Sequence, residues 1–155
     1  MTATWTIHES ALLGPLTLVG GQAGLSRLSF PGREPAPSEA EYNPAALADA
    51  TRQLEEYLAG SRRNFELMLD IEGTPFQRAV WDQLLRIPYG ETVSYTELAG
   101  LIGRADRVRA VGGAVARTPV PIVIPCHRVV GVNGALTGYG GGLERKAALL
   151  SLEQR

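Results

Sequence analysis

The spacing of apolar and polar residues changes near residue 73, and the change divides the chain into two parts. In the first part, Thr4–Glu9, Leu16–Gly20 and Leu25–Phe30 are short runs rich in β-branched or alternating apolar residues. Gly14-Pro15 and Gly20-Gly21-Gln22-Ala23-Gly24 separate them as turns, so this part reads as β-rich. Pro31 to Pro37 reads as a loop. From Pro44 to Ala59 the period becomes helical, with Leu47, Ala50, Leu54, Tyr57 and Leu58 on one face and Gly60 as the stop. Phe65, Leu67 and Leu69 alternate and predict a further strand.

The second part reads as mostly helical. Thr74-Pro75 is a helix start, with threonine as N-cap and proline at the first helical position. Phe76, Val80, Leu84 and Leu85 give that helix an apolar face up to Pro88. Ser94 with Glu97 is a capping box for a short helix from Tyr95 to Ile102. A turn at Gly103 leads to Asp106 as the next N-cap and to a helix over Arg107–Arg117, so the pair predicts a helix-turn-helix. Gly112 and Gly113 inside the second helix cost about 1 kcal/mol each relative to alanine. They suit a close approach, either to DNA or to a neighbouring helix.

Composition adds limits. The 155 residues are 45% hydrophobic and 20% charged, enough for one large domain or two small packed ones. The single cysteine, Cys126, excludes an intramolecular disulfide and any zinc site of several cysteines. A free thiol fits a reducing compartment, and the N-terminal residues lack the basic-then-apolar pattern of a signal peptide. No apolar run is long enough to span a bilayer, so a cytoplasmic protein without membrane contact is expected.

The net charge of −1 hides an asymmetry. Residues 1–74 carry five arginines against ten acids, a net of −5, whereas residues 75–155 carry ten bases against six acids, a net of +4. Arg104, Arg107, Arg109, Arg117 and Arg128 face only Asp106 within residues 104–128. Such a cluster suits phosphate contacts, and equally a solvated face.

The chemistry concentrates in Pro121-Ile122-Val123-Ile124-Pro125-Cys126-His127-Arg128-Val129-Val130. The apolar run predicts a buried, strand-like segment that Pro125 stops just before the cysteine. A lone cysteine is most often an inert core residue. Here His127 and Arg128 flank it, and a neighbouring base or cation makes a thiolate available at neutral pH. The pattern favours a nucleophile.

Ile124-Pro125-Cys126-His127-Arg128-Val129-Val130 resembles the active-site signature of the O6-alkylguanine-DNA alkyltransferases, the methylated-DNA–[protein]-cysteine S-methyltransferases. The resemblance runs from about Gly73 to Glu153. It includes Gly73-Thr74-Pro75-Phe76-Gln77, Ile87-Pro88-Tyr89-Gly90-Glu91-Thr92-Val93-Ser94-Tyr95, Arg109-Ala110-Val111-Gly112 and Thr137-Gly138-Tyr139-Gly140-Gly141-Gly142. The resemblance implies an α/β (α+β) protein in which a β-rich, ribonuclease-H-like domain over 1–73 precedes a helical domain with a helix-turn-helix over 74–155. It implies direct-reversal repair of double-stranded DNA, by one irreversible transfer of an O6-alkyl group to the protein's own cysteine. No small-molecule cofactor is implied, and the protein would be a monomer in solution, with assembly along DNA open.

The resemblance also implies roles. Cys126 is the acceptor, His127 takes its proton through a water, and Glu153 orients and charges that histidine. Tyr95 donates to the departing guanine, and Arg109 fills the space of a flipped nucleotide. Arg107 and Arg117 accompany it on the DNA-binding helix. Val129, Tyr139 and Gly140 line the base pocket. Thr118 is a departure, because the family commonly has asparagine there, tying the DNA-reading helix to the active-site segment. Two other readings stay open from the residues alone. One is a helix-turn-helix regulator or lesion sensor with a structural cysteine, and the other is a Cys–His hydrolase that turns over.

Overall fold

The computed structural model describes residues 2–33 and 35–155. Glu34, inside the predicted Pro31–Pro37 loop, and Met1 lie outside the described residues. The chain forms two compact units, Met1–Glu72 and Gly73–Arg155.

The first unit is a four-stranded sheet with one helix. The three expected β segments form strands β1 (Thr4–Ser10), β2 (Gly14–Gly21) and β3 (Gly24–Ser29), which pair antiparallel as a meander. Strand β4 (Glu41–Tyr42) adds a short parallel edge on β1, in the order β3-β2-β1-β4. Thr6, Leu16, Leu18 and Leu28 alternate into the core, as a period of two requires. Helix α1 (Ala48–Leu58) contributes Ala50, Leu54 and Tyr57 to it.

Two expectations for this unit change. The first helical turn, Ala45–Leu47, is a separate 3-10 turn, so α1 starts later than Pro44. The segment Phe65–Leu69 is not a strand. It makes an isolated bridge at Leu25↔Leu69, through Leu25 N–H to the Met68 carbonyl and Asp70 N–H to the Leu25 carbonyl. A short alternating run has the side-chain pattern of a strand, but here it has only one ladder step to pair with.

In the second unit, α2 (Pro75–Leu84) starts at a complete capping box between Thr74 and Gln77. Its Trp81 indole N–H donates 2.9 Å to the carbonyl of Ala114, tying α2 to the helix that carries that residue. The short strand β5 (Val93–Ser94) runs into α3 (Tyr95–Leu101), which opens on the Ser94–Glu97 capping box. Helix α4 (Val108–Ala116) follows after a tight turn and completes the helix-turn-helix. Asp106 is not its cap. A 3-10 turn over Ala105–Arg107 intervenes, and Arg107 occupies the N-cap without a side-chain bond.

The segment before the cysteine is a turn rather than a strand. Ile122 is buried with φ 76°, a left-handed conformation that costs a β-branched residue on the order of 1–3 kcal/mol. Ile124 N–H returns to the Val120 carbonyl, and Cys126 N–H to the Ile124 carbonyl at 2.7 Å across Pro125. Cys126–Arg128 is then one 3-10 turn, followed by β6 (Val129–Val130) and, after a glycine-rich loop, by α5 (Leu143–Leu152).

Candidate active site

Three short elements of the second unit converge on Cys126. Strand β6 pairs parallel with β5, Val93 opposite Val129 and Ser94 opposite Val130. That pairing sets the start of α3, and so Tyr95, beside the cysteine segment. Helix α5 points Lys146, Leu149 and Glu153 inward at spacings of three and four, the repeat of one helix face.

His127, Arg128 and Glu153 form one buried network. His127 Nε2 lies 2.8 Å from Glu153 Oε2. Arg128 grips the same carboxylate twice, Nε to Oε1 and Nη2 to Oε2, each at 2.8 Å. Gly90 N–H donates to Oε1 at 3.1 Å. The third guanidinium nitrogen of Arg128 donates 2.7 Å to the Ile87 carbonyl, and its Cζ sits 5.7 Å from the Tyr89 ring centroid. A buried carboxylate with this many donors stays ionised. Gly90 has φ 82°, and a Cβ there would stand 3.2 Å from the Glu153 carbonyl oxygen, so glycine suits both the turn and the close approach.

The resting charge states follow from burial. Desolvation holds the His127 pKa below the ordinary imidazole value, against the raising effect of Glu153. Burial pushes the Cys126 thiol up to about 11, although the Thr118 and Tyr139 hydroxyls lower it in part. The resting pair is thus a thiol beside a neutral imidazole. A base must therefore remove the proton before the sulfur can act as a nucleophile. Glu153 occupies Nε2, so Nδ1 is the ring nitrogen left to receive it.

The remaining expected residues are distributed as follows. The Tyr95 hydroxyl accepts from Thr137 Oγ1 at 3.2 Å, which ties α3 to the loop over residues 137–142. A Cβ on Gly112 would meet the Tyr95 ring at 3.7 Å, an ordinary contact, so packing of α4 on α3 does not require a glycine there. Val129 is buried, Tyr139 half-buried and Gly140 exposed. The Cys126 carbonyl accepts from Val129 N–H. Arg107, Arg109 and Arg117 are exposed, away from the buried network. Arg107 lies over the Phe76 ring, and Arg117 donates to the Gly113 carbonyl.

Lys146 is the residue that the sequence reading missed. Its side chain is fully buried, and Nζ donates to the Val129 carbonyl at 2.6 Å and to the Thr137 carbonyl at 3.1 Å. Desolvation lowers its pKa, while proximity to Cys126 raises it. Its helical register with Leu149 was the available signal, since a lysine on an apolar face needs buried acceptors. Arg128 was expected as a neighbour of the cysteine and as one of the arginines of the basic cluster, but it is buried and clamped on Glu153, a partner far away in sequence.

Comparison with known proteins matches this arrangement. A family model of the O6-methylguanine DNA methyltransferase DNA-binding domain covers residues 75–155, and one of that family's ribonuclease-like domain covers residues 4–71. The chain is 48% identical to a methylated-DNA–protein-cysteine methyltransferase of Mycobacterium tuberculosis over 92% of its length and 87% of that protein's. It is 41% identical to the inducible methylated-DNA–protein-cysteine methyltransferase of Bacillus subtilis over 100% of its length and 88% of the relative's. The crystal structure of the Mycobacterium tuberculosis O6-methylguanine methyltransferase superposes with a TM-score of 0.91 at 45% identity, covering 99% of this chain and 93% of that one. One structure of that protein, at the same TM-score and 44% identity, is a complex with DNA. With both halves matched by the family's models and about half of the residues shared with relatives along most of its length, the chain belongs to the methylated-DNA–protein-cysteine methyltransferases.

Proposed function

We propose that this protein repairs double-stranded DNA by moving the alkyl group of an O6-alkylguanine onto Sγ of Cys126 and keeping it there. The observation that carries the reading is the buried His127–Glu153–Arg128 network beside the chain's only cysteine. It supplies a neutral imidazole as base and a fixed carboxylate to stabilise the imidazolium that forms.

In the proposed reaction the thiol proton passes to Nδ1 of His127 through a water. The thiolate attacks the alkyl carbon in line, the S–C bond forms, and the C–O6 bond breaks with its electron pair staying on guanine. The guanine anion takes up one proton from water and leaves as the neutral base, while the His127 imidazolium returns the thiol proton to water, so the protons balance. The Tyr95 hydroxyl donates toward the ring as negative charge develops there. The carbonyls of Cys126 and Val129 accept from the exocyclic amine, and Gly140 N–H serves O6. Val129 O already accepts from Lys146, which leaves one lone pair for the base. A thioether is a poor leaving group, so each molecule reacts once.

Arg109, Arg107 and Arg117 engage the duplex, with Arg109 replacing the flipped nucleotide. The protein acts as a monomer, in a reducing compartment such as the cytoplasm, where its thiol persists. A lesion sensor with an inert cysteine is favoured by one observation only, the burial that raises the thiol pKa. Digestion and chromatography of a duplex carrying one O6-methylguanine tests the choice. Loss of the lesion with an equal gain of guanine, absent with Cys126→Ser, supports transfer. An intact lesion that stays bound means a sensor.

A further inference from the structure

Tyr95 and Thr137 meet at their hydroxyls, with Thr137 Oγ1 donating to the phenol oxygen at 3.2 Å. The bond joins the start of α3 to the loop between β6 and α5, across 42 residues of chain. The distance is long for two hydroxyls, and catalytic hydrogen bonds of this kind commonly tighten once substrate is bound.

Each partner is held from elsewhere. The Tyr95 ring lies against α4, since a Cβ on Gly112 would come within 3.7 Å of it. Thr137 is anchored through its backbone, because its carbonyl accepts from Lys146 Nζ at 3.1 Å. Its methyl group faces Gly131, where a Cβ would stand 3.4 Å from Cγ2. A β-branched side chain has few open rotamers. With the backbone anchored and Cγ2 placed, Oγ1 is directed at the phenol.

Packing fixes the tyrosine ring but not its O–H. Conjugation keeps a phenol proton in the ring plane, on one side of the oxygen or the other. A donor that occupies one side leaves the other to the phenol's own proton, which is then aimed before any base arrives. Accepting that bond also polarises the phenol, so its O–H is a stronger donor where negative charge develops. A phenol without such a partner divides its proton between both sides.

We propose that Thr137 is a positioning residue for the transfer, one that sets the direction of the Tyr95 proton and strengthens it as the donor to the departing guanine. The role rests on the proposed part of Tyr95 in that departure. Thr137 acts through Tyr95, and no proton is gained or lost at Thr137.

The test is single-turnover methyl transfer by the full chain from an O6-methylguanine duplex. A range of duplex concentrations separates the maximal rate from the half-saturating concentration. Thr137→Val keeps the branched shape and removes the hydroxyl. It is expected to slow the maximal rate about tenfold, with half-saturation within about twofold of wild type. Thr137→Ser returns the hydroxyl and is expected to recover the rate to within about threefold. Tyr95→Phe alone also slows transfer. Adding Thr137→Val to it is expected to change the rate by less than about twofold, because the group it acts through is gone. Thr137→Ala reads the same loss if the Val variant does not fold. A wild-type maximal rate in the Val variant overturns the proposal, whether or not half-saturation weakens. So does an undiminished loss in the Tyr95→Phe background, or a Ser variant as slow as Val, since Thr137 would then only shape the loop. A wild type that transfers no methyl group removes the proposed function, and this role with it.

Discussion

Arg128 and Glu153, 25 residues apart in the chain, form a two-bond buried clamp, Nε to Oε1 and Nη2 to Oε2 at 2.8 Å each. The clamp fixes both oxygens of the carboxylate that His127 contacts. A histidine paired to a mobile carboxylate would lose orientation and share the proton, whereas this carboxylate is held from two sides and by Gly90 N–H. Arg128 is thus a positioning residue for the base.

Removing that cation leaves Glu153 buried with fewer donors. Arg128→Met is expected to cost about 3–5 kcal/mol in urea unfolding, the range for breaking a buried ion pair from one side. Arg128→Met with Glu153→Gln recovers much of the stability, because no lone charge stays buried. It does not recover methyl transfer, since His127 then lacks its carboxylate.

His127 gives a pH dependence with a defined sign. Desolvation depresses its pKa in the folded state. An unfolded chain takes up the proton as pH falls through about 6.5, whereas the folded chain resists until a lower pH. This residue's contribution to stability is complete above that value and is lost as pH falls through the folded pKa. Urea midpoints of wild type are expected to fall more steeply below about pH 6.5 than those of His127→Gln. Equal slopes would mean that folding does not depress the His127 pKa.

Much of this was legible in the sequence, for reasons tied to particular residues. Thr74-Pro75 and Ser94…Glu97 are local chemistry: the Thr74 cap and the Ser94–Glu97 capping box form where they were read, and Gln77 completes a second box that was not. The strands of the meander follow from alternation and glycine turns. The failures have a physical pattern. Asp106 is a good cap residue in isolation, but the 3-10 turn puts Arg107 at the helix start. The run Pro121–Ile124 is as apolar as a buried strand, yet two prolines and the positive φ of Ile122 make it a turn. Lys146 had only its register with Leu149 to mark it, because its acceptors are backbone carbonyls, which carry no residue signature.

Lys146 braces the loop between β6 and α5 by holding the carbonyls of Val129 and Thr137. Lys146→Met keeps the length and removes the donor, leaving two acceptors that cost about 1–3 kcal/mol each when buried and unpaired. The expected result is faster proteolysis within residues 131–142 and slower methyl transfer, with the helix-turn-helix still able to bind DNA. Unchanged proteolysis would show that the loop is held by other contacts.

The exposed arginines predict a difference between substrates. Phosphate-contacting residues weaken binding evenly, and each lost contact lowers the slope of affinity against salt by about 0.9 on logarithmic axes. Arg117→Ala is expected to behave this way. Arg109→Ala should instead slow transfer from a fully paired duplex far more than from a single strand, where no partner base must be replaced. Equal loss on both substrates would make Arg109 one more phosphate contact.

The central claim is that Cys126 itself accepts the alkyl group, once. Intact-protein mass after incubation with excess duplex carrying one O6-methylguanine tests it most directly, followed by peptide mapping. The account predicts a gain of a single methyl group per chain, mapped to Cys126, that does not increase with more substrate and is absent in Cys126→Ser. Continued release of product without mass gain, or a methyl group on the Ser variant, would contradict it.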